Sequence, residues 1–308
     1  MNRLAPSLYR RSIALDPAVH RGRKVSPLTD FSIAKDLHAV FVTATEFPQA
    51  ALEFPIVFVE TGHHDTAGRP MMSPVALLGL THGENLHVEG TRWEARYIPA
   101  YIRRYPFSTA SLPGASGINV LVDEAWSGFS EHGAEPLFEA GDAPAPALKR
   151  AMDFLERFEL EAERTRGFCE RLVMLGVLKE MKADATLPNG QKLSVDGFHA
   201  VDEDKLRALS DATVLELWRT GLLMLIQAHL LSLANIRHLA NRKAARIQAA
   251  GLPDTAVLRS NRNWPWAARS AGSGTTRACS PKARSARRAR PGAAARRRCR
   301  TSAIPWRL

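Results

Sequence analysis

The chain has 308 residues, 45% of them hydrophobic, which suits one large or two small globular domains with a buried core. Its net charge of +11 is typical of a nucleic-acid-binding protein, but the whole positive excess lies after residue 250. Residues 251–308 hold thirteen arginines, one lysine and one acid, whereas residues 1–250 hold 28 basic and 30 acidic residues. Since affinity for a phosphate backbone depends on clustered Lys and Arg, we expect nucleic acid to bind only through this tail, and not as a physiological partner.

The N-terminus lacks the apolar segment of a signal peptide. The most apolar run, Leu222–Ala234 (LLMLIQAHLLSLA), is too short to span a bilayer and contains Gln227 and His229. Before residue 251 the only cysteine is Cys169, which leaves no partner for an internal disulfide. These features predict a soluble, cytoplasmic protein without a membrane span.

The N-terminal half has the pattern of short strands rich in β-branched and aromatic residues. The predicted strands are Ala39–Phe47, Phe54–Glu60, Pro74–Leu80, Asn85–Gly90, the segment Arg92–Ile102, and Ile118–Glu124. The Gly, Asp and Pro content of Thr61–Pro70 predicts a turn. Strands do not alternate with helices, so we expect an antiparallel or mixed sheet.

The second half changes to helical periodicity. Apolar residues recur at spacings of three, four and seven from Ala147 to Leu175, which predicts an amphipathic helix that ends near Gly176. Asn-Gly within Leu187–Gln191 (LPNGQ) predicts a β-hairpin.

Two further helices are expected after the hairpin. Asp202 is a candidate N-cap for a short helix, and Ser210 or Asp211 for a longer one from about Ala212 to near Ala249, bent at Gly221. The apolar middle of this last helix predicts a buried central helix, with His229 a hydrogen-bonded histidine of the core or of a groove. The fold class is therefore α+β, with a β-rich N-terminal half packed against a helical C-terminal half that carries a β-hairpin.

The tail, residues 251–308, contains five Leu, Ile, Val and Phe residues and is predicted to be disordered. The domain prediction is an N-terminal extension (1–24), a folded domain (25–250) and an Arg/Ala-rich tail (251–308). The strong excess of Arg over Lys, together with Ala, Gly and Pro, is typical of G+C-rich DNA read in another frame. A frameshift is one interpretation of the tail, and a genuine disordered basic tail is the other.

The segment Arg103-Arg104-Tyr105-Pro106-Phe107 is the strongest candidate binding site. Two planar guanidinium groups beside Tyr105 and Phe107 suit a carboxylate or phosphate ligand. The structural alternative has Tyr105 and Phe107 pointing inward while Arg104 pairs with an acid.

A metal site is the competing hypothesis. His63-x-Asp65 has the spacing of the first two ligands of a 2-His-1-carboxylate iron site, and His132 or His199 would be the distal histidine. A polar turn between strands is the alternative explanation of these residues.

Several stretches carry a family resemblance, and they cover about residues 25–245. They are FPIVFVE (Phe54–Glu60), ALLGLTHGENLHV (Ala76–Val88), RWEARYIPAYIRRYPF (Arg92–Phe107), INVLVDEAW (Ile118–Trp126), GAEPLFEAGDAPAPALKRAMDFLERFE (Gly133–Glu159), FHAVDEDKLRALSD (Phe198–Asp211) and GLLMLIQAHLLSLANI (Gly221–Ile236). In this order they resemble the SapC family of bacterial proteins, which is named for a surface-layer gene cluster. The chain departs from the pattern at His87, where an aromatic residue is usual, and in the insert His63-His64-Asp65.

The resemblance implies a SapC-like domain but no catalytic residues. Together with the absence of a convincing catalytic set, it favours an accessory or binding protein without catalysis or a cofactor, linked to bacterial surface-layer or cell-envelope systems. Its expected partner is a protein, or a small anionic ligand at the Arg103–Phe107 segment. The alternative is a metal-dependent, oxygenase-like enzyme that holds iron at His63, Asp65 and His132.

Overall fold

The computed structural model of the chain describes residues 8–110, 119–186 and 192–249. The predicted tail and the Asn-Gly turn at 187–191 lie outside the described residues. The strands are β1 Ser12–Ala14, β2 Lys24–Val25, β3 Ala39–Phe41, β4 Ile56–His64, β5 Pro70–Leu77, β6 Val88–Glu89, β7 Arg92–Trp93, β8 Phe107–Ala110, β9 Asn119–Asp123, β10 Phe129–Ser130, β11 Glu135–Pro136, β12 Leu178–Thr186 and β13 Lys192–Val201. The α-helices are α1 Pro17–His20, α2 Phe47–Ala50, α3 Ala100–Arg103, α4 Pro146–Met174, α5 Glu203–Arg207, α6 Asp211–Arg219, α7 Leu222–Ser232 and α8 Asn235–Ala249.

The main sheet has five antiparallel strands in the order β12-β13-β4-β5-β3. Its strands β12 and β13 form the predicted hairpin. Strands β4 and β5 confirm two predicted strands, and they continue further into the predicted turn at Thr61–Pro70. The turn shortens to Asp65–Arg69 because the Asp65 carboxylate accepts the N–H groups of Ala67 and Arg69, at 2.8 and 2.9 Å. The sheets therefore belong to the N-terminal half, joined by one hairpin from the C-terminal half.

The strand predicted over Ala39–Phe47 is wrong after Phe41. The chain turns there because Thr43 and Glu46 form a capping box that starts a 3₁₀ turn at Ala44–Glu46. Likewise, the strand predicted over Arg92–Ile102 ends at Trp93, and Pro99 precedes the short helix α3 instead.

Three smaller sheets complete the β-rich half, in the orders β1-β9-β8, β10-β2-β11 and β6-β7. Asp123, at the end of β9, is fully buried and accepts the backbone N–H groups of Arg10 and Arg11 and the Tyr105 hydroxyl. Burial raises the pKa of this carboxyl, but these hydrogen bonds and a fourth from the Ala125 N–H outweigh burial, so the pKa lies below its usual range. The N-terminal residues are thereby fastened to β9.

Helix α4 confirms the predicted amphipathic helix, and it ends before Gly176, which has a left-handed φ of 64°. Its buried face packs on the main sheet, where the Phe168 ring lies against Phe58 of β4 with 6.1 Å between ring centres. The Thr165 hydroxyl, also buried, accepts the N–H of Ala44 at 2.8 Å. This helix therefore joins the two halves of the fold.

The predicted caps at Asp202 and Ser210 are confirmed for α5 and α6. The single helix predicted from Ala212 to Ala249 is instead three helices. Gly221, with φ of 76°, ends α6 and begins α7, because the left-handed conformation interrupts the helix.

The apolar composition of helix α7 predicts that it is buried on all sides, but the helix is exposed on one side. Ile226, His229 and Ser232 are buried, but Met224 and Leu231 are 59% and 74% exposed. Within the described residues, Leu222–Ala249 is the one stretch that meets a membrane-span criterion by length and composition, with a mean hydropathy of 1.2 in its most apolar window. Core helices of soluble proteins meet the same criterion, and α7 uses its buried face to bond with β4 and β13.

Candidate functional site

The segment that carries Arg103 and Arg104 is anchored by the buried carboxylate of Glu46. One oxygen accepts the Tyr97 hydroxyl at 2.8 Å and the Ala100 N–H at 2.7 Å, while the other accepts the Thr43 N–H at 2.8 Å. The start of α3 is therefore fixed to the turn after β3. This attachment determines where the two arginines at the end of α3 reach the surface.

Arg104 is half-buried among three aromatic rings. Its guanidinium carbon lies 4.4 Å from the ring centre of Tyr101, 4.7 Å from Phe158 and 5.8 Å from Tyr9. The Tyr9 hydroxyl, which donates to the Phe107 carbonyl, also interacts with this guanidinium. No acid whose side chain the structure describes forms an ion pair with Arg104. The guanidinium is thus partly removed from water. Aromatic faces lie beside it, and none of the described carboxylates pairs with it.

Arg103 is exposed but is also held in place. Its Nε donates to the Ile98 carbonyl at 2.9 Å, and its guanidinium carbon lies 5.3 Å from the Phe154 ring and 5.8 Å from Tyr97. Phe154 and Phe158 are one helical turn apart on α4, so both arginines rest on one face of that helix. We name the set Arg103, Arg104, Tyr97, Tyr101, Phe154 and Phe158 the arginine–aromatic surface.

Tyr105 and Phe107 lie beneath this surface, with exposed fractions of 5% and 6%. The Tyr105 hydroxyl donates to Asp123 at 3.0 Å, and burial raises its pKa. Both residues therefore point inward, as the structural alternative has it, while aromatic rings take the place of the acid expected beside Arg104. The two side chains support the site rather than reach a ligand.

The residues of the hypothetical iron site are not assembled. Among the described residues, no group of three or more His, Cys, Asp or Glu side chains is placed to hold a metal ion. His63 is exposed on β4, and His132 is exposed between β10 and β11. The Asp65 carboxylate instead closes its turn and accepts the Arg69 Nε at 2.7 Å, and these hydrogen bonds lower its pKa. These three residues do not fit a 2-His-1-carboxylate iron centre.

His229 is the hydrogen-bonded core histidine that the sequence predicts. Its Nδ1 donates to the Ile56 carbonyl at 2.8 Å, and its Nε2 accepts the Val201 N–H at 3.0 Å. Strands β4 and β13 pair only at Phe58 and His199, and by that antiparallel register Ile56 lies opposite Val201. The imidazole therefore joins Ile56 and Val201, the next opposed residues of the two strands, in place of a direct backbone hydrogen bond.

His87 is a buried histidine whose role sequence reasoning missed. It is 3% exposed, and both of its ring nitrogens are buried without a hydrogen-bond partner among the described residues. Its ring packs edge-on against Phe54 at 4.8 Å and stacks beside Trp93 at 6.1 Å. Here the imidazole packs as an aromatic ring would. The available signal for this role was that the SapC pattern usually has an aromatic residue at this position.

The comparisons with known proteins include a family match. The model of the SapC family matches residues 15–239 of the chain. No curated protein and no solved structure matches the chain.

Proposed function

The chain belongs to the SapC family, and on this premise we propose that it is a non-catalytic accessory or binding protein whose arginine–aromatic surface takes a carboxylate or phosphate group. The observation that carries the proposal is the half-buried Arg104 guanidinium, which has three aromatic neighbours and no acid partner among the described side chains. The proposed setting, a soluble protein of a bacterial surface-layer or cell-envelope system, rests on the family name.

The chemistry of the guanidinium supports an anionic ligand. Aromatic rings cover the faces of a planar cation, whereas an anion binds along its edge through N–H donors. The Nε of Arg104 is buried, so the outer amino groups are the donors that a carboxylate or phosphate would use. The aromatic rings do not neutralise the positive charge of the guanidinium, and such a ligand would.

The rings also prepare the site for binding. Arg104 is held by Tyr101 and Phe158, and Arg103 by Phe154 and the Ile98 carbonyl. A side chain fixed before binding loses less conformational entropy when the ligand arrives. Together, Arg103 and Arg104 thus form a preorganised site for an anionic group.

The test is a thermal-shift titration of the full-length protein with citrate at constant ionic strength. Citrate should raise the melting temperature of the wild type, since a ligand that binds only the folded state stabilises it. We expect at least a tenfold higher half-saturating concentration in Arg104→Ala and a smaller increase in Arg103→Ala.

Arg157→Ala is the matched control. It removes the same charge from the exposed side of α4, next to Phe158 in the sequence, and all the proteins keep the same tail. An equal loss of citrate response in Arg157→Ala, or none in Arg104→Ala, would refute the proposed site.

A further inference from the structure

An open groove lies along the segment that leads to the arginine–aromatic surface. Its volume is about 560 Å³, and Phe31, Trp93, Ala95 and Ile98 are among the residues that line it. Small-molecule sites usually enclose most of their ligand, whereas this groove is open. The groove therefore suits a chain that continues beyond it.

The lining of the groove is held rigidly. The indole N–H of Trp93 donates to the Tyr97 carbonyl at 2.9 Å, and the Phe31 ring lies 6.1 Å from the Trp93 ring. The backbone N–H of Arg96 donates to both carboxylate oxygens of Glu53, each at 2.9 Å. The apolar lining and the backbone at Arg96 are thus fixed to the rest of the fold.

The groove carries an exposed guanidinium group at Arg96. Arg92 pairs with Glu94 at 2.7 Å, so these two lining residues neutralise each other. The exposed Arg96 also lines the groove, and no acid with a described side chain pairs with it. The Glu53 carboxylate binds the backbone N–H of Arg96, so the guanidinium of this residue, rather than a net positive charge of the lining, is the group that meets an anionic side chain.

Ile98 connects the groove to the arginine–aromatic surface. Ile98 is one of the residues that line the groove, and its carbonyl accepts the Nε of Arg103 at 2.9 Å. The same residue therefore lines the groove and holds the Arg103 side chain. In the chain, Tyr97–Ile102 separates Arg96 from Arg103, and none of these six residues is charged.

We propose that the groove and the arginine–aromatic surface together bind an extended acidic peptide segment of a partner protein. An apolar side chain of the peptide lies against Phe31 and Trp93, one acidic side chain meets Arg96, and another meets Arg103 and Arg104. A uniformly charged polyanion fits less well, because it offers nothing apolar to the space between the arginines. The inference rests on the proposed function at Arg103 and Arg104 and adds the class of partner.

The experiment is a subtractive selection from a random dodecapeptide library displayed on phage. The library is first depleted on the full-length double variant Arg96→Ala, Arg104→Ala, which carries the same basic tail, and is then selected on the wild type. We expect enriched peptides with acidic residues on both sides of an aromatic or aliphatic one. A synthetic peptide of the enriched sequence should bind Arg96→Ala at least tenfold more weakly than the wild type, and Arg157→Ala as tightly.

The inference is overturned if no peptide survives the subtraction, if the survivors are not acidic, or if the peptide binds Arg96→Ala as it binds the wild type. If no peptide is enriched but inorganic polyphosphate binds and its binding depends on Arg96, the ligand is an anionic polymer and the peptide proposal is wrong. If citrate binding depends on Arg104 but no peptide is enriched, the proposed function stands and only this inference is wrong. Circular dichroism melting of each variant controls for folding.

Discussion

At the residue scale, the imidazole of His229 occupies a gap between two strands of the main sheet. It bonds to Ile56 of β4 and Val201 of β13 in place of a direct backbone pair, and Ser232, one turn away, accepts the Ile56 N–H at 2.9 Å. The sequence indicated a core histidine from the apolar helix around it. The two strands it joins could not be predicted, because they are more than 170 and about 28 residues away in the chain.

Replacing His229 by Ala should therefore destabilise the protein. It leaves a buried carbonyl and a buried N–H without partners, each at a cost of about 1–3 kcal/mol. Urea unfolding of His229→Ala should show a free energy of unfolding lower by roughly 2–5 kcal/mol. Gln227→Ala, on the exposed side of the same helix, should change it little, and equal effects of the two substitutions would contradict this role.

Stability should also depend on pH through two of the buried histidines, His87 and His229. Burial lowers the pKa of His229 to about 4, and burial with the charges of Arg242 and Arg246 lowers that of His87 to about 3. Unfolded histidines titrate near pH ~6.5, so below that pH the unfolded chain binds protons that the folded chain does not. This stability is complete above about pH 6.5 and is lost progressively towards pH 4.

Urea midpoints at pH 7 and pH 5 measure this loss. The substitution His87→Phe should reduce the loss of stability between pH 7 and pH 5. It should also raise the free energy of unfolding at pH 7 by about 1 kcal/mol, because it removes two buried nitrogens without partners. Midpoints that agree at the two pH values in the wild type would show that the histidines are not held neutral.

The contacts of Asp65 lead to a prediction about iron. Its carboxylate is occupied by the N–H groups of Ala67 and Arg69 and by the Arg69 side chain. Elemental analysis of the purified protein should find iron well below one atom per chain, unchanged in His63→Ala. Stoichiometric iron that is lost in His63→Ala would restore the enzyme hypothesis.

At the element scale, periodicity and capping predicted helix α4, strands β4, β5 and β9, and the starts of α5 and α6. The misplaced elements have local causes. The Thr43–Glu46 capping box ends one predicted strand, and Gly221 divides the last helix, although the apolar pattern continues through both interruptions. Hydrophobic pattern alone does not report where a short side chain or a left-handed residue ends an element.

Gly221 and Gly167 provide a matched pair of substitutions. A methyl group has open space at both positions, but Gly221 has a φ of 76° whereas Gly167 lies within α4. Gly221→Ala should cost about 1 kcal/mol of stability, because an L-residue is strained there. Gly167→Ala should gain up to about 1 kcal/mol from helix propensity, and thermal melts with the same sign for both would contradict this difference.

At the scale of the whole molecule, the sequence revealed the charge partition but not the assembled site. Residues 1–250 are near electrical neutrality, yet the guanidinium groups of Arg96, Arg103 and Arg104 form no ion pair with a described acidic side chain. The sequence picked out Arg103 and Arg104, whereas their partners Phe154 and Phe158 come from α4, some fifty residues later. Only the packing of α4 against α3 brings these groups together, so the aromatic environment of the arginines could not be predicted from local sequence.

The central claim is that the fixed guanidinium of Arg104 binds an anion through its planar edge. Isothermal titration calorimetry with citrate on the full-length wild type and on Arg104→Lys tests it most directly, because lysine keeps the charge but loses the planar pair of donors. The account predicts at least tenfold weaker binding to Arg104→Lys. Citrate binding of equal affinity in the two proteins would contradict it.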